Sequence, residues 1–370
     1  MKFGSPLGLS RDAHWDDAWT DPYTNEYVLP HPYNEFKKLR AGRASELGKT
    51  VSNTFTLNRW HKEMVLRGLL IKKSLLGRAA IALATKAKPS SELWKICKEA
   101  EDVAGAKEPA ALGTNFHEYT ELFDARKITL DEVPEPFDKD LLAYAELLTR
   151  TGIVPVPEFT EQIIWNEPLN VCGRYDRLWK WMRHCDRWHV GDLKTGRFID
   201  YGWHENPIQL QVYATASHQF SRVTEKWSPM PETCQELGLI LHIPSDGKKD
   251  ESREPTGNRM AALYEVDLTT RIQMPVEWDL VTGLQGVTPA GLAKAVQAWQ
   301  KTKRIAKLVA RVEVTPDGEV MDSPLSTSEL IDMYESREEI EALWGRLKEA
   351  GAWHGGHTRR AKARIAELAS

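Results

Sequence analysis

The sequence predicts a mixed α/β core that lies between two helical units. Three segments with strand-like composition follow one another in the middle of the chain, over residues 159–165, 171–181 and 188–193. Apolar residues at helical spacing predict a helix before them, over 112–123, and another after them, over 207–220. This order of helix, strands and helix is typical of a sheet flanked by helices.

Two more apolar strands are expected over residues 237–243 and 260–266, on either side of a charged segment with glycine and proline. With these strands the core becomes a mixed sheet with helices against it. We therefore divide the chain into three parts, which are an N-terminal arm with a basic helical lobe (1–110), the core (111–275), and a basic helix, a linker and a small helical unit (276–370).

The parts outside the core are predicted to be largely helical. Residues 1–35 lack a clear period and are interpreted as an irregular arm, whereas the pattern from 34 to 87 is helical. A basic helix is expected over 289–311, and amphipathic helices are expected over 328–350 and 358–368.

The composition is that of a globular protein able to bury a sizeable core. The chain has 370 residues, of which 41% are hydrophobic and 28% are charged. It shows no membrane-spanning run and no signal-peptide core at its start, so we expect a cytoplasmic protein without a membrane partner. The cysteines are widely spaced, lack a Cys-x-x-Cys pair and are expected to be reduced and structural; they are Cys97, Cys172, Cys185 and Cys234.

The net charge of −4 conceals two basic segments. Residues 37–90 hold 13 Lys and Arg against two acids, Glu46 and Glu63, and residues 281–312 hold six against none. Such segments are typical of a track for a polyanion such as DNA, although solvated helix faces have the same composition. The candidate DNA contacts are Arg59, Lys62, Arg67, Lys72, Lys303, Lys307 and Arg311.

The polar end of the third predicted strand is the candidate centre of the site. Asp192 and Lys194 are two positions apart, so their side chains are expected on the same face of the strand. This pair is either a plain ion pair or a metal ligand beside a group that orients an attacking water. Asp-x-Lys is common, so the choice depends on the surrounding residues.

Other polar residues are expected to meet this pair. Asp176 lies on the second predicted strand, and pairing with the third would bring its carboxylate towards Asp192. Two close carboxylates repel each other, and a divalent cation relieves the repulsion. Oxygen ligands favour Mg²⁺ or Mn²⁺, and a nitrogen from His117 would shift the preference towards Mn²⁺.

Each of these residues also has a structural interpretation. His117 can be an ordinary helical histidine that shares a face with Glu121. Asp176 can be a salt-bridge partner, and Gln209 and Tyr213, four apart on one helix, can cap the core.

The order of the motifs resembles that of the PD-(D/E)xK nuclease superfamily, in its RecB-like branch. That branch includes the nuclease domains of RecB and AddAB helicase–nucleases, CRISPR-associated adaptation nucleases and phage exonucleases. Residues 113–121 resemble the branch's Gly-x-x-x-His-x-x-x-Glu motif, and residues 173–176 its Gly-x-x-Asp motif. Residues 192–196 resemble its Asp-x-Lys-Thr-Gly motif, and residues 209–213 its Gln-x-x-x-Tyr helix.

The resemblance implies a restriction-endonuclease-like fold and a metal-dependent DNA exonuclease of phage recombination or DNA end-processing. It implies that Lys194 serves the nucleophile and that Gln209 and Tyr213 organise the site or the DNA. An acidic residue near Glu161 is a looser match. The implied ligands of Mg²⁺ or Mn²⁺ are His117, Asp176, Asp192 and the Leu193 carbonyl.

Two other metal sites are not expected. Several relatives carry an iron–sulfur cluster on a tight downstream cysteine group, but here only Cys234 follows the core motifs, so no cluster is expected. The segment 184–189 has zinc-capable residues, but it lies in a predicted turn without a second ligand pair. The histidines of 354–357 are interpreted as part of a loop that enters the last helix.

Two other functions compete with an exonuclease. One is a non-catalytic DNA-binding member of the fold, which the intact His, Asp, Asp and Lys set disfavours. The other is a structure-selective endonuclease, which the Gln-x-x-x-Tyr helix disfavours by family analogy alone. DNA is the expected partner, and a single-strand annealing recombinase is a candidate second partner.

Overall fold

The computed structural model places one large mixed sheet at the centre of the chain, with helices on both faces. This arrangement confirms the α/β class predicted from the sequence. The structure describes residues 19–52, 54–85, 90–181, 183–197, 199, 203–221, 224–244, 257–269, 296, 306–322, 327–334, 336–349, 353 and 355–369.

Eleven strands of the described residues form the sheet. In chain order they are β1 (Tyr27–His31), β2 (Asn34–Arg43), β3 (Ile153–Asn166), β4 (Val171–Trp181), β5 (Trp188–Lys194), β6 (His218–Phe220), β7 (Trp227–Pro229), β8 (Leu237–His242), β9 (Arg259–Asp267), β10 (Ala306–Val314) and β11 (Val320–Asp322). Across the sheet the order is β11-β10-β9-β8-β5-β4-β3-β6-β7, while β2 pairs with β4 and β1 with β2. The pairs β5–β8 and β2–β4 are parallel, and the other described pairs are antiparallel.

The helices pack on the sheet or form smaller units beside it. They are α1 (Ala44–Lys49), α2 (Phe55–Ile71), α3 (Ser74–Thr85), α4 (Ser90–Val103), α5 (Glu108–Asp124), α6 (Phe137–Thr151), α7 (Glu205–Ala214), α8 (Thr327–Met333), α9 (Arg337–Glu349) and α10 (Gly355–Leu368). Among the described residues, no helix combines the length and apolar character that crossing a membrane requires.

The core has a layer on each face of the central strands. On one face, Phe116 of α5 and Leu141 of α6 pack against Trp179. On the other, Leu210 of α7 packs with Tyr175. Helices therefore cover both faces of β5, which explains why it is buried from its second to its sixth residue rather than at alternate positions.

The three consecutive strands at the centre are confirmed. β4 has the predicted bounds, β3 begins earlier than predicted and β5 ends one residue later. β5 lies between β4, which is antiparallel to it, and β8, which is parallel to it. Its end is therefore held from both sides.

The N-terminal hairpin β1–β2 corrects two predictions. Residues 1–35 were expected to be irregular and 34–87 to be helical, but 27–31 and 34–43 are strands. Leu39 and Ala41 are buried while Lys38 and Arg40 are exposed, which is the period of two of a half-buried strand. Gly42 pairs with Val171 of β4, so this hairpin belongs to the central sheet and crosses the boundary predicted at residue 110.

Two predicted helices are also corrected. The helix over 207–220 ends at Ala214, and His218–Phe220 forms β6 against β3. The prediction of a basic helix over 289–311 is wrong at its C-terminal end, because Ala306–Val314 forms β10. The row of cations at helical steps is therefore not formed as predicted: Lys307 and Arg311 lie on a strand, Arg311 is ion-paired with Glu329, and Lys303 lies outside the described residues.

The C-terminal helical unit is confirmed, with three helices where two were predicted. Ile331 of α8, Ile340 and Leu343 of α9 and Ala361 of α10 form its small buried cluster. The loop expected to enter the last helix is shorter than predicted, because α10 already begins at Gly355; His354 lies outside the described residues.

The basic helical lobe is made by α2, α3 and α4. A Cβ on Gly68 of α2 would lie 1.9 Å from the Ala100 carbonyl oxygen of α4, so the two helices are in close contact. All four candidate DNA contacts of this lobe are exposed, and two of them already have acidic partners. Arg59 pairs with Glu63 at 3.2 Å and Lys72 pairs with Glu99 at 2.6 Å.

We expect Asp140→Asn to stabilise the protein, and to do so more at pH 8 than at pH 5. Asp140 of α6 is buried, and burial raises its pKa to about 7, against the opposing charge of Arg259 at 3.7 Å. A folded-state pKa above the unfolded value means that stability is largest at low pH and falls as pH rises towards 7. The gain at pH 8 should exceed the gain at pH 5 by about 3 kcal/mol.

Urea unfolding of parent and variant across this pH range measures the effect. A difference in the free energy of unfolding that is the same at pH 5 and pH 8 would contradict it.

Candidate active site

A polar cleft of about 390 Å³ opens where β5 ends, between the start of β4 and the helices α5 and α7. Every residue predicted for the catalytic and metal site lines this cleft. They are His117, Asp176, Asp192, Leu193, Lys194, Gln209 and Tyr213. Residues spread over 97 positions of the sequence, from 117 to 213, therefore meet at one place.

Asp192 and Lys194 project into the cleft from the same face of β5, as predicted. Lys194 Nζ lies 2.7 Å from Asp192 Oδ2. Burial raises the pKa of Asp192 to about 6, with Asp176 adding to the effect and Lys194 opposing it. Burial acts to lower the pKa of Lys194, but the two carboxylates outweigh it and hold that pKa above its ordinary value.

Asp176 is fixed by the backbone of the neighbouring strand. The Leu193 N–H donates to Asp176 Oδ2 at 2.8 Å, and His117 Nδ1 lies 3.7 Å from the same oxygen. Burial opposes ionisation of Asp176, but His117 and Lys194 together with this N–H outweigh burial and hold its pKa below the ordinary value. The predicted proximity of Asp176 to β5 is confirmed; the role of the Leu193 carbonyl stays a prediction.

The geometry adds Glu161 to the candidate ligands. One ligand atom each of His117, Glu161 and Asp176 lies within 4.8 Å of the others. Glu161 of β3 is 1% exposed, and it forms an ion pair with Arg174, whose Nε lies 2.7 Å from Glu161 Oε2. Asp192 is not in this three-residue group, because its carboxylate is turned to Lys194.

Glu161 lines a smaller pocket beside the cleft, which shares His117, Arg174 and Asp176 with it. Thr160 pairs with Arg177 and Gln162 with Tyr175, while Glu161 between them has a left-handed backbone with φ of 54°. Such a conformation is uncommon for a residue with a side chain and is often found at functional sites.

Two consecutive residues of β4 contact one helix. Asp176 contacts His117 of α5, and Arg177 contacts Thr120 and Asp124 of α5. In a regular strand neighbouring side chains point to opposite faces. Here both point to α5, so the local backbone fixes the helix that carries His117.

Arg177 forms a buried polar network behind the cleft. Its Nε donates to Asp124 Oδ2 at 3.1 Å and its Nη2 to Thr120 Oγ1 at 3.0 Å. The Tyr144 hydroxyl of α6 donates to Asp124 at 2.9 Å. Burial acts against the charge on Arg177, but Asp124 outweighs burial and raises the pKa of the guanidinium.

Two glycines of the motifs are required by close packing. A Cβ on Gly113 of α5 would lie 2.4 Å from Thr195 Oγ1, and a Cβ on Gly173 of β4 would lie 2.5 Å from the Tyr213 ring. Gln209 Nε2 donates to the Tyr213 hydroxyl at 2.6 Å, which confirms that these two share a face of α7. The glycines therefore let α5 and α7 approach the ends of β4 and β5.

The N-terminal hairpin and the start of α1 supply residues that were not predicted from the sequence. Tyr27, Arg43 and Ser45 line the cleft, and the Arg43 guanidinium lies 5.1 Å from the centre of the Tyr27 ring. Nothing in the local sequence marks them, because their place depends on the β2–β4 pairing. Arg174, by contrast, lies inside the Gly-x-x-Asp motif, and strand alternation would have put it on the face opposite Tyr175.

Comparison of the chain with models of known protein families gives no match, and comparison with curated protein sequences gives none. What the cleft does has therefore to be inferred from its own side chains.

Proposed function

We propose that this chain is a metal-dependent deoxyribonuclease that hydrolyses phosphodiester bonds in DNA, and that it acts as an exonuclease. The observation that carries the proposal is the meeting of His117, Asp176, Asp192 and Lys194 in one cleft, with Lys194 Nζ 2.7 Å from Asp192. A carboxylate cluster beside a lysine and an imidazole suits the hydrolysis of a phosphate ester by an activated water.

The donor set fits Mg²⁺ or Mn²⁺. His117, Glu161 and Asp176 offer one nitrogen and two carboxylates within 4.8 Å of one another, and Asp192 lines the same cleft as His117 and Asp176. Hard oxygen donors suit both ions, and the imidazole favours Mn²⁺. When bound, the ion would lower the pKa of a water and offset charge on the scissile phosphate.

The other side chains of the cleft would each have a separate role in the reaction. Lys194 would hold the attacking water and donate to the phosphate, while Asp192 orients the Lys194 ammonium. Arg174 lies beside the metal-ligand group and is ion-paired with Glu161. When Glu161 binds metal, the Arg174 guanidinium would pair with a phosphate oxygen in its place. Gln209 and Tyr213 would keep the wall of the cleft in place.

The choice of an exonuclease rests on the RecB-like order of the motifs. The DNA path is proposed to run over the exposed cations of α2, and a single-strand annealing recombinase remains a candidate partner.

End-labelled linear DNA and covalently closed circular DNA, each incubated with Mg²⁺, with Mn²⁺ and with a chelator, test this function. We expect metal-dependent digestion of the linear DNA and none of the circle. Cleavage of the circle would instead indicate an endonuclease. DNA binding without cleavage in either metal would indicate a non-catalytic member and overturn the proposal.

A further inference from the structure

A second cluster of metal-ligating side chains lies at the opposite end of β5. It is formed by His184 and Cys185 in the β4–β5 turn, His189 on β5, and Cys234 in the segment between β7 and β8. One ligand atom of each of the four lies within 4.8 Å of the others. Cys234 is the partner that sequence reasoning lacked when it set the 184–189 segment aside.

The distances within the cluster match the edges of a zinc tetrahedron. His184 Nδ1 lies 3.1 Å from His189 Nε2, Cys185 Sγ lies 3.7 Å from His189 Nε2, and Cys234 Sγ lies 3.9 Å from His184 Nδ1. Zinc bonds of about 2.05 Å to nitrogen and about 2.3 Å to sulfur give tetrahedral edges of about 3.3 Å between nitrogens and about 3.6 Å between nitrogen and sulfur. Three of the six distances are thus close to tetrahedral edges, and the other three are no longer than 4.8 Å.

Backbone hydrogen bonds hold Cys234 at this position. The Cys234 N–H donates to the Trp188 carbonyl at 2.7 Å, and the Trp188 N–H donates to the Glu232 carbonyl at 3.0 Å. Thr233 also forms an isolated bridge with Trp188. The segment that carries Cys234 is therefore fixed to the first residue of β5, next to His189.

The imidazoles are fixed by an aromatic neighbour. Trp181 stacks on His184 with ring centres 6.2 Å apart and meets His189 edge-on at 5.8 Å. Its own Nε1 donates to the Thr151 carbonyl at 3.0 Å, which fixes the indole. His189 and Cys234 are buried, whereas His184 is exposed, so an ion can enter from the His184 side.

We propose that His184, Cys185, His189 and Cys234 bind a structural Zn²⁺ ion. Two thiolates and two neutral imidazoles form a closed Cys₂His₂ set, which is a donor set of structural rather than catalytic zinc. The ion ties the β4–β5 turn to the segment before β8, and so fixes the start of the strand that presents Asp192 and Lys194 at its other end. His189 and Lys194 are five residues apart on β5, about 17 Å in an extended strand, so this site is separate from the cleft.

The test measures metal content and needs no nuclease activity. The full chain is purified in reducing buffer, washed with a weak chelator and analysed for zinc by mass spectrometry. We expect one zinc per chain in the parent, in Cys97→Ser and in Asp176→Asn, and its loss in Cys185→Ser and Cys234→Ser. Because loss of an outer partner weakens metal binding by about 10–100-fold, loss of a thiolate should weaken it by at least about 100-fold.

Replacement of zinc by cobalt tests the site in the folded parent, so the proposal can be tested even if the cysteine variants do not fold. Adding Co²⁺ to the metal-free parent should give the visible bands of a tetrahedral ion and a near-ultraviolet thiolate-to-cobalt band. The variant His184→Ala, at an exposed position, should change this spectrum while the protein keeps its circular dichroism. Removing the zinc should also lower the Tm of the parent.

Four results would overturn the proposal. The parent could lack zinc and give no thiolate-to-cobalt band. Cys97→Ser could lose as much zinc as Cys234→Ser. A Cys185–Cys234 disulfide could be found in protein kept under reducing conditions. A loss of zinc in Asp176→Asn alone would assign the metal to the cleft and would also count against it.

Discussion

Lys194→Gln is expected to lower the rate of DNA hydrolysis by about 10²–10³-fold without weakening Mn²⁺ binding. The substitution removes the ammonium that lies 2.7 Å from Asp192 and close to Asp176. Since that charge repels a cation, its loss should leave metal affinity equal or higher. Single-turnover hydrolysis of end-labelled linear DNA gives the rate, and calorimetric titration with Mn²⁺ gives the affinity.

Asp176→Asn serves as the comparison for this prediction. An asparagine oxygen can still accept the Leu193 N–H, so the strands should stay paired, but a charged ligand is lost. Hydrolysis and Mn²⁺ affinity should therefore fall together in this variant. Lys226→Gln, at an exposed lysine away from the cleft, should match the parent. If Lys194→Gln lost Mn²⁺ affinity as Asp176→Asn does, the roles assigned to the two residues would be wrong.

Arg177→Met is expected to destabilise the folded protein by about 3–5 kcal/mol. The substitution leaves the Asp124 carboxylate buried without its guanidinium partner, because both side chains are only 1% exposed. Removing one member of a buried ion pair exposes the full desolvation penalty of the other. Urea unfolding followed by circular dichroism measures the change.

The double variant Arg177→Met with Asp124→Leu separates charge from packing. Replacing both partners by apolar side chains should recover most of the lost stability, since no buried charge remains. If the double variant were less stable than Arg177→Met, the arginine would act through its packing and its hydrogen bond to Thr120 rather than through Asp124.

Local periodicity was enough to predict the centre of the fold. The strands β4 and β5 and the helices α5 and α7 were found because their apolar pattern or their motif residues lie within one segment. The cleft followed from them, since Asp192 and Lys194 had to share a face and Asp176 had to lie on the neighbouring strand. Those parts of the site depend on contacts between residues that are close in sequence or that lie on neighbouring paired strands.

The failures concern residues whose place depends on distant pairings or on irregular backbone. β2 was predicted as part of a helical segment, although its buried Leu39 and Ala41 alternate with exposed cations as in a strand. Glu161 reaches the metal group through a left-handed backbone that no propensity predicts. Cys234 joins the histidines of the β4–β5 turn only through its hydrogen bond to Trp188, which is 46 residues away in sequence. In each case tertiary structure decided what the local sequence left open.

The pairing of β2 with β4 has a consequence for the newly made chain. Gly42 is opposite Val171, and these two residues are 129 positions apart in the sequence. The hairpin that carries Tyr27 and Arg43 therefore leaves the ribosome well before its partner strand β4. At a synthesis rate of about 5–20 residues per second, that is a delay on the order of ten seconds. During this interval one wall of the cleft is present while the strands that bear Asp176 and Lys194 are not. The nascent protein thus holds no assembled cleft until Tyr213, the last residue that lines it, has been translated.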